Sequence, residues 1–361
     1  MRFSTGTPLK NVVSIVGCLI TAALLAGCGT TTTVARGSAS QVLAEAEEQK
    51  AAFLKTSWER QARLDDLAWP LLTSARDLCG EEVKPRTGLS LLAIDTIGKD
   101  YQPVARSRFG LSETPMVLHV VKDSPSEAAG LRAGDKIESI AGQPVATGKK
   151  ATKKAGELLA KSIEGTQPVY MTVLRDGASI TAIIKPEVVC QYPVVMVQDD
   201  SIRAFTDGDV VYISTGMYRF ASEDRELQLV VAHEIAHSAE GHLDKKAINW
   251  GIGTFFDVVA AAYGVDTQNA FGKAASQAFS QDFEREADYV GMYILARADV
   301  DTTEAADFWR RMAAEFPQSI QGSYSATHPA SAERWANIAA ANEEILTKRQ
   351  GELPLLPERK E

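Results

Sequence analysis

The sequence predicts an α+β fold: a mainly helical half carrying a small β-sheet, preceded by a β-rich insert. Three observations lead there. Residues 116–121, 169–174 and 179–184 have the composition and alternation of strands, and Asp176-Gly177 between the last two is a strong type I′ hairpin signal. Residues 229–242, LVVAHEIAHSAEGH, follow Leu227 with apolar positions where a buried helix holds them. Residues 280–298, SQDFEREADYVGMYILARA, form a second strong helical pattern.

Composition bounds the function. At 361 residues the chain has room for two domains, and 45% apolar with 24% charged residues is ordinary for a soluble globular protein. A net charge of −9 and a pI near 5.3 argue against nucleic acid as a partner, and no basic stripe, RNA-binding signature or cysteine-rich finger is present.

From the N-terminus, residues 1–27 read as a targeting segment. Arg2 and Lys10 make it positive, and residues 12–26 are mostly apolar but short for a membrane span. It ends in Leu25-Ala26-Gly27-Cys28, which resembles the bacterial lipobox. That resemblance implies cleavage before Cys28 and acylation of Cys28, and Gly29 after it favours the outer membrane. The chain is then expected on the periplasmic face of the outer membrane of a Gram-negative-type envelope. A plain signal anchor is the alternative. Residues 28–40 are a Thr/Ser/Ala/Gly-rich tether. Residues 41–85 form an N-terminal helical region expected to pack on the second half through Trp58, Leu64, Leu67, Leu71 and Leu72, with Pro70 kinking or breaking it.

With Cys18 in the removed segment and Cys28 acylated, Cys79 and Cys190 remain in an oxidising compartment and are expected to form a disulfide; two buried thiols are the alternative. No CxxC pair points to redox or cysteine-metal chemistry. The two cysteines bracket a module at 86–189, with a core at 110–187. Its run SPSEAAGLRAGDKIESI resembles the PDZ domains of bacterial periplasmic proteases, which implies a small β-barrel or sandwich. Such domains take extended peptides as an added strand. The resemblance implies a carboxylate-binding loop near Phe109-Gly110-Leu111, and His119 reads as structural.

The second half, 190–345, opens with strand candidates at 194–197, 202–205 and 210–214. They resemble the small sheet of zinc peptidases, which would make VVYIS at 210–214 the substrate-holding edge; a plain three-stranded hairpin sheet is the alternative. Next comes HEIAH. His233 and His237, four apart, stack on one helix face about 6 Å apart, where neutral imidazoles share a zinc ion. Glu234 then reaches a zinc-bound water as general base. His242 does not fit the extended HExxHxxGxxH pattern and is expected to be exposed or at a helix end. Residues 247–265 are apolar and Gly-rich, and are expected as partly buried helix and loop near the cleft. Downstream, Glu284 can supply the third ligand and Asp288, four residues on, can hold a ligand imidazole; Gly291 on the same face permits close helix approach. Asp282 and Glu286 lie close enough to leave the choice of acid open.

HEIAH with EREAD resembles the HtpX-like gluzincins of peptidase family M48, over about 190–342. The resemblance implies a mainly helical zincin-type metallopeptidase domain with one Zn2+ per chain on His233, His237 and Glu284. SATHPASAER, residues 325–334, resembles the family's THPxxxxR stretch and implies roles for His328, as a covering ligand, and Arg334, steadying an intermediate. Residues 303–314 and 332–343 read as packing helices, and 346–361 as a loose tail. The function expected is a zinc endopeptidase acting on misfolded or stalled envelope proteins as extended chain. An envelope or assembly-machinery partner at the PDZ-like module and a membrane held through Cys28 complete the expected partners. A zinc-containing chaperone or peptide-binding protein is the competing class.

Overall fold

The computed structural model of the protein describes residues 37–245, 270–317 and 332–358, and for 270–280 the backbone alone. Two compact units divide the chain, Met1–Glu48 and Gln49–Glu361. The targeting segment, Cys28, all of 247–265 and His328 lie outside the described residues. No helix among the described residues is long and apolar enough to cross a membrane.

Residues 37–48 supply the first turns of α1 (Ala39–Ser74), whose start is marked by Ser38 Oγ accepting the Gln41 amide at 3.3 Å. Pro70 was expected to kink or break this helix, but the helix continues to Ser74. A proline this close to the end removes one backbone bond, while Leu71 and Leu72 are buried on the core and hold the last turn in place.

After α1 the chain enters the β-rich module, and its two ends return to one place. β1 (Val83–Arg86) pairs antiparallel with β8 (Glu187–Cys190), and the Cys79–Cys190 disulfide lies at the same base, closing a separation of 111 residues. Between them stands a six-stranded sheet. Its strands are β2 (Leu89–Leu92), β3 (Met116–Val120), β4 (Lys136–Ile140), β6 (Val169–Arg175) and β7 (Ala178–Ile184), in the order β2-β3-β4-β6-β7, with β5 (Gln143–Pro144) on β4. The β6–β7 turn has φ of 51° at Asp176 and 82° at Gly177, both positive as a type I′ turn requires. Between β2 and β3 runs α2 (Gln102–Phe109), between β3 and β4 α3 (Pro125–Ala128). Helix α4 (Ala151–Ile163) buries Ala155, Leu159 and Ile163; the last two pack on a core including Val117, Ile137 and Met171.

The edge of this sheet beside α4 is β2, and the residues leading into it are Thr87 and Gly88. Residues 109–111, expected near a peptide-carboxylate loop, instead close α2, the Gly110 and Leu111 amides donating to the Arg106 and Ala105 carbonyls at 3.2 Å each. There Gly110 ends α2 with φ 69°, Leu111 is buried among Leu54 and Ile94, and Phe109 stacks edge-on against Trp58 at 5.0 Å.

The helical half carries its own three-stranded sheet. β9 (Val194–Val197) runs parallel to β11 (Val211–Ser214), and β10 (Ala204–Thr206) antiparallel to it, in the order β10-β11-β9. So 210–214 is not an edge: β11 is paired on both sides. The outer edge of β9 is covered by Gln61 of α1, whose amide donates to the Val194 carbonyl at 2.9 Å and accepts from Met196 N–H at 2.9 Å. Behind β11 come the short α5 (Thr215–Phe220) and then α6 (Asp224–Ala239), which packs on α7 (Ala270–Arg297). α8 (Ala305–Glu315) and α9 (Ala332–Gln350) complete the layer. The tail was expected to be loose, but residues 351–358 are tied down. Leu355 packs on the core, Lys348 donates to the Leu356 carbonyl at 2.9 Å, and Glu358 N–H donates to the Tyr289 hydroxyl at 3.0 Å.

Candidate metal centre

Helix α6 begins with a reciprocal capping box between Glu223 and Glu226, which satisfies two otherwise orphaned amides. From that start Leu227, Val230, Val231 and Ile235 are buried, and the helix is fixed in the core before its histidines are reached. α7 comes close enough to face them because position 291 is glycine. A Cβ there would lie 3.3 Å from the backbone N of His233, tighter than such contacts ordinarily are.

The two helices bring His233, His237 and Glu284 together, all buried. The Nε2 atoms of His233 and His237 are 3.1 Å apart, and the Glu284 oxygens lie 3.4 Å from each: Oε2 from His233 and Oε1 from His237. Ligands about 2.0–2.1 Å from a tetrahedral zinc are separated by roughly 3.3 Å, so these distances fit one face of that tetrahedron. The donor set fits as well. Each imidazole has a separate partner on Nδ1, so both Nε2 atoms converge with a carboxylate on one point.

His233 Nδ1 lies 3.0 Å from Asp288 Oδ1. Arg334 donates from Nε to Asp288 Oδ2 at 2.7 Å and from Nη2 to Oδ1 at 2.6 Å, its Nη1 3.3 Å from Glu284 and its guanidinium 3.7 Å above the Trp309 ring. Burial alone would raise the Asp288 carboxyl, but the Arg334 charge and the bonds from Arg334 and His233 hold it below the usual carboxylate range. Burial lowers His233, yet its hydrogen bonds to Asp288 and Glu284 outweigh that and bring it up to about 9, so protons compete with a metal for this ring. Glu234 is 1% exposed on the same helix.

His242 lies just past the end of α6, one of the two places expected for it, but it is buried rather than exposed. Gly241, at φ 61°, reverses the chain just past α6 and returns His242 to the centre, 3% exposed. Its Nδ1 is 2.9 Å from His237 Nδ1 and its Nε2 2.9 Å from Glu286 Oε2, with the Phe283 ring stacked on it at 4.6 Å. Burial lowers its pKa against the opposing pull of Glu286. The sequence held one signal for it, a glycine followed by a third histidine within five residues of His237. His119, read as structural, lies elsewhere, 2.8 Å from Asp66 of α1.

Residues 177–342 match the model of peptidase family M48, and residues 116–175 match a PDZ domain. The 177–342 segment is of the peptidase family M48 type. Among its relatives is the mitochondrial metalloendopeptidase OMA1 of Schizosaccharomyces pombe, 29% identical over 43% of this chain and 48% of the relative. Metalloprotease LoiP of Escherichia coli is 31% identical over 41% of this chain and 60% of its own. A putative beta-barrel assembly-enhancing protease of Vibrio cholerae is 30% identical over 34% and 28%. The chain thus spans about half or less of the length of the first curated relatives it matches, at 48%, 41% and 28%. HEIAH and EREAD both fall inside the matched segment.

Proposed function

We propose that this chain is a zinc-dependent endopeptidase of the bacterial cell envelope, cutting misfolded or stalled polypeptides, with its PDZ domain capturing peptide or regulating the site. One observation carries the reading: the 3.1–3.4 Å triangle of His233, His237 and Glu284, with Glu234 adjacent in sequence on the same helix. Zinc bound there, one ion per chain, supplies Lewis acidity toward water and a peptide carbonyl. Glu234 takes a proton from the attacking water and returns it to the leaving amine. Asp288 orients His233, and Arg334 acts through Asp288; its hydrogen bonds and its stacking on Trp309 support this role over contact with an intermediate.

Extended substrate is held on the outer edge of β10, the strand tied to the metal helix by the Thr206 and Ser238 hydroxyls at 2.8 Å. The order β10-β11-β9 and the Gln61 amide over β9 support that edge rather than β11. The lipobox-like Leu25-Ala26-Gly27-Cys28 supports removal of 1–27, acylation of Cys28 and a membrane-anchored position, and the similarity to a putative beta-barrel assembly-enhancing protease supports the envelope.

The test is cleavage of an unfolded reporter protein by residues 29–361, wild type beside Glu234→Gln, with zinc content measured on both. Cleavage by wild type alone at equal zinc is the expected result, a loss of about 100-fold or more in the variant. Full activity in Glu234→Gln ends this mechanism. Zinc in both with cleavage in neither favours the peptide-binding class, and His328→Ala then tests for a covered site.

A further inference from the structure

We infer that His242 and Glu286 form a hydrogen-bonded relay that positions the His237 imidazole for its metal, so that HEIAHSAEGH uses three histidines. The inference rests on the metallopeptidase reading above, and it names two positioning residues, neither of them a ligand.

The proton count has one solution. His237 turns Nε2 toward His233 Nε2 at 3.1 Å and Glu284 Oε1 at 3.4 Å, so a metal takes that nitrogen and the ring's proton sits on Nδ1. His237 Nδ1–H then donates across 2.9 Å to His242 Nδ1, which must accept. His242 therefore carries its own proton on Nε2 and donates it to Glu286 Oε2 at 2.9 Å. In the reversed arrangement the His237 proton would point at the other ligands, and an unprotonated His242 nitrogen would face a carboxylate. The ring plane of His242 is set by Phe283, stacked at 4.6 Å with an interplanar angle of 16°.

All three acids of EREAD then serve the centre. Glu284 faces both imidazoles, Asp288 holds His233 directly, and Glu286 holds His237 through His242. The two supports differ in surroundings. Asp288 and its Arg334 partner have side chains only 2% and 3% exposed, whereas Glu286 is 43% exposed and has Lys245 at 3.8 Å. Among the described residues, the outer support on the His237 side is the more exposed of the two.

The test measures zinc affinity of the full-length protein by competition with a chromogenic chelator, beside the visible spectrum of the cobalt-loaded form. His242→Ala is expected to weaken zinc by about 10–100-fold. His242→Asn, whose side-chain oxygen can accept in place of Nδ1, is expected to recover most of that. Glu286→Ala is expected to give a smaller loss that disappears when His242 is already Ala. Zinc affinity unchanged in His242→Ala, equal losses in Ala and Asn, or a Glu286→Ala effect that adds in full to His242→Ala each overturn the relay. Should His242→Ala not fold, the Asn and Glu286 variants decide by the same criteria. His237→Ala separates the two levels: if it keeps wild-type zinc affinity, the metal-centre reading itself falls. If it loses zinc while His242→Ala does not, the relay alone falls.

Discussion

Around the candidate metal centre most side chains are held by another buried one, so a substitution is felt through what it leaves behind. Asp288 is the clearest case. It is 4% exposed and carries both Arg334 and His233, so Asp288→Asn leaves a buried guanidinium short of its countercharge. Breaking a buried pair from one side costs about 3–5 kcal/mol, and loss of a ligand's outer partner lowers metal affinity about 10–100-fold. Urea unfolding in chelator and zinc competition should show both losses. Replacing both partners with apolar residues, Asp288→Leu with Arg334→Met, should restore much of the stability but none of the zinc affinity. Recovery of both would mean that Asp288 acts only by filling space. In the sequence, the four-residue spacing put His233 with His237 and Glu284 with Asp288 on shared helix faces. Glu234 was legible from the HEIAH motif, and the resemblance to family M48 singled out Glu284 over Asp282 and Glu286. The roles of His242 and Glu286 were not legible, because the bond between them depends on the reversal at Gly241 and on which flank of α7 faces it.

At the scale of elements, the alternating strands were readable, while the short β1, β2 and β8 and the strand neighbours were not. Alternation marks β9, β10 and β11, but β11 became central through a parallel pairing with β9 that no local pattern encodes. Likewise β2 was missed as the module's edge, because four residues of LSLL carry little alternation. The Asp135 loop that starts β4 carries a pH-dependent prediction. Asp135 is 1% exposed and accepts two bonds from Arg175, at 2.7 and 2.6 Å, and one from Arg132 N–H at 2.9 Å. Burial would raise its carboxyl, but Arg175 and the Arg132 amide together hold it below the usual range. A carboxyl lowered in the fold stabilises it fully above the unfolded value of about 3.9, and the contribution drains away as pH falls through the lowered folded value. Asp135→Asn should therefore cost roughly 2 kcal/mol at pH 7, less than a fully buried pair because the Arg175 side chain is 18% exposed. Amide exchange at Ile137 and Val173 reads this out. The gap between variant and wild type should close in acid, and a gap independent of pH would assign the effect to packing.

For the whole molecule the organising element is α1, and one of its turns touches both halves. Gln61 occupies the outer edge of β9 in the peptidase sheet, and its amide also donates to Asp65 at 2.7 Å. Asp65 accepts from Ser90 of β2 at 3.2 Å, while Asp66 accepts from His119 of β3 and from Lys122 N–H at 2.8 and 2.9 Å. A continuous set of hydrogen bonds thus runs from the edge strand of the PDZ domain to the edge strand of the peptidase domain. The disulfide and the β1–β8 ladder fix the base of the module, but only α1 supplies this second, lateral attachment among the described residues. Gln61→Ala should strip partners from the Val194 carbonyl and the Met196 amide, at about 1–3 kcal/mol, and loosen Asp65 as well. The expected signature is faster amide exchange at Met196 and at β2, with the β6–β7 hairpin unaffected. A double-mutant cycle with Ser90→Ala should give coupling of about 0.5 kcal/mol or more, because the two side chains share Asp65. Additive effects would mean that the two domains are attached at α1 without being coupled through it.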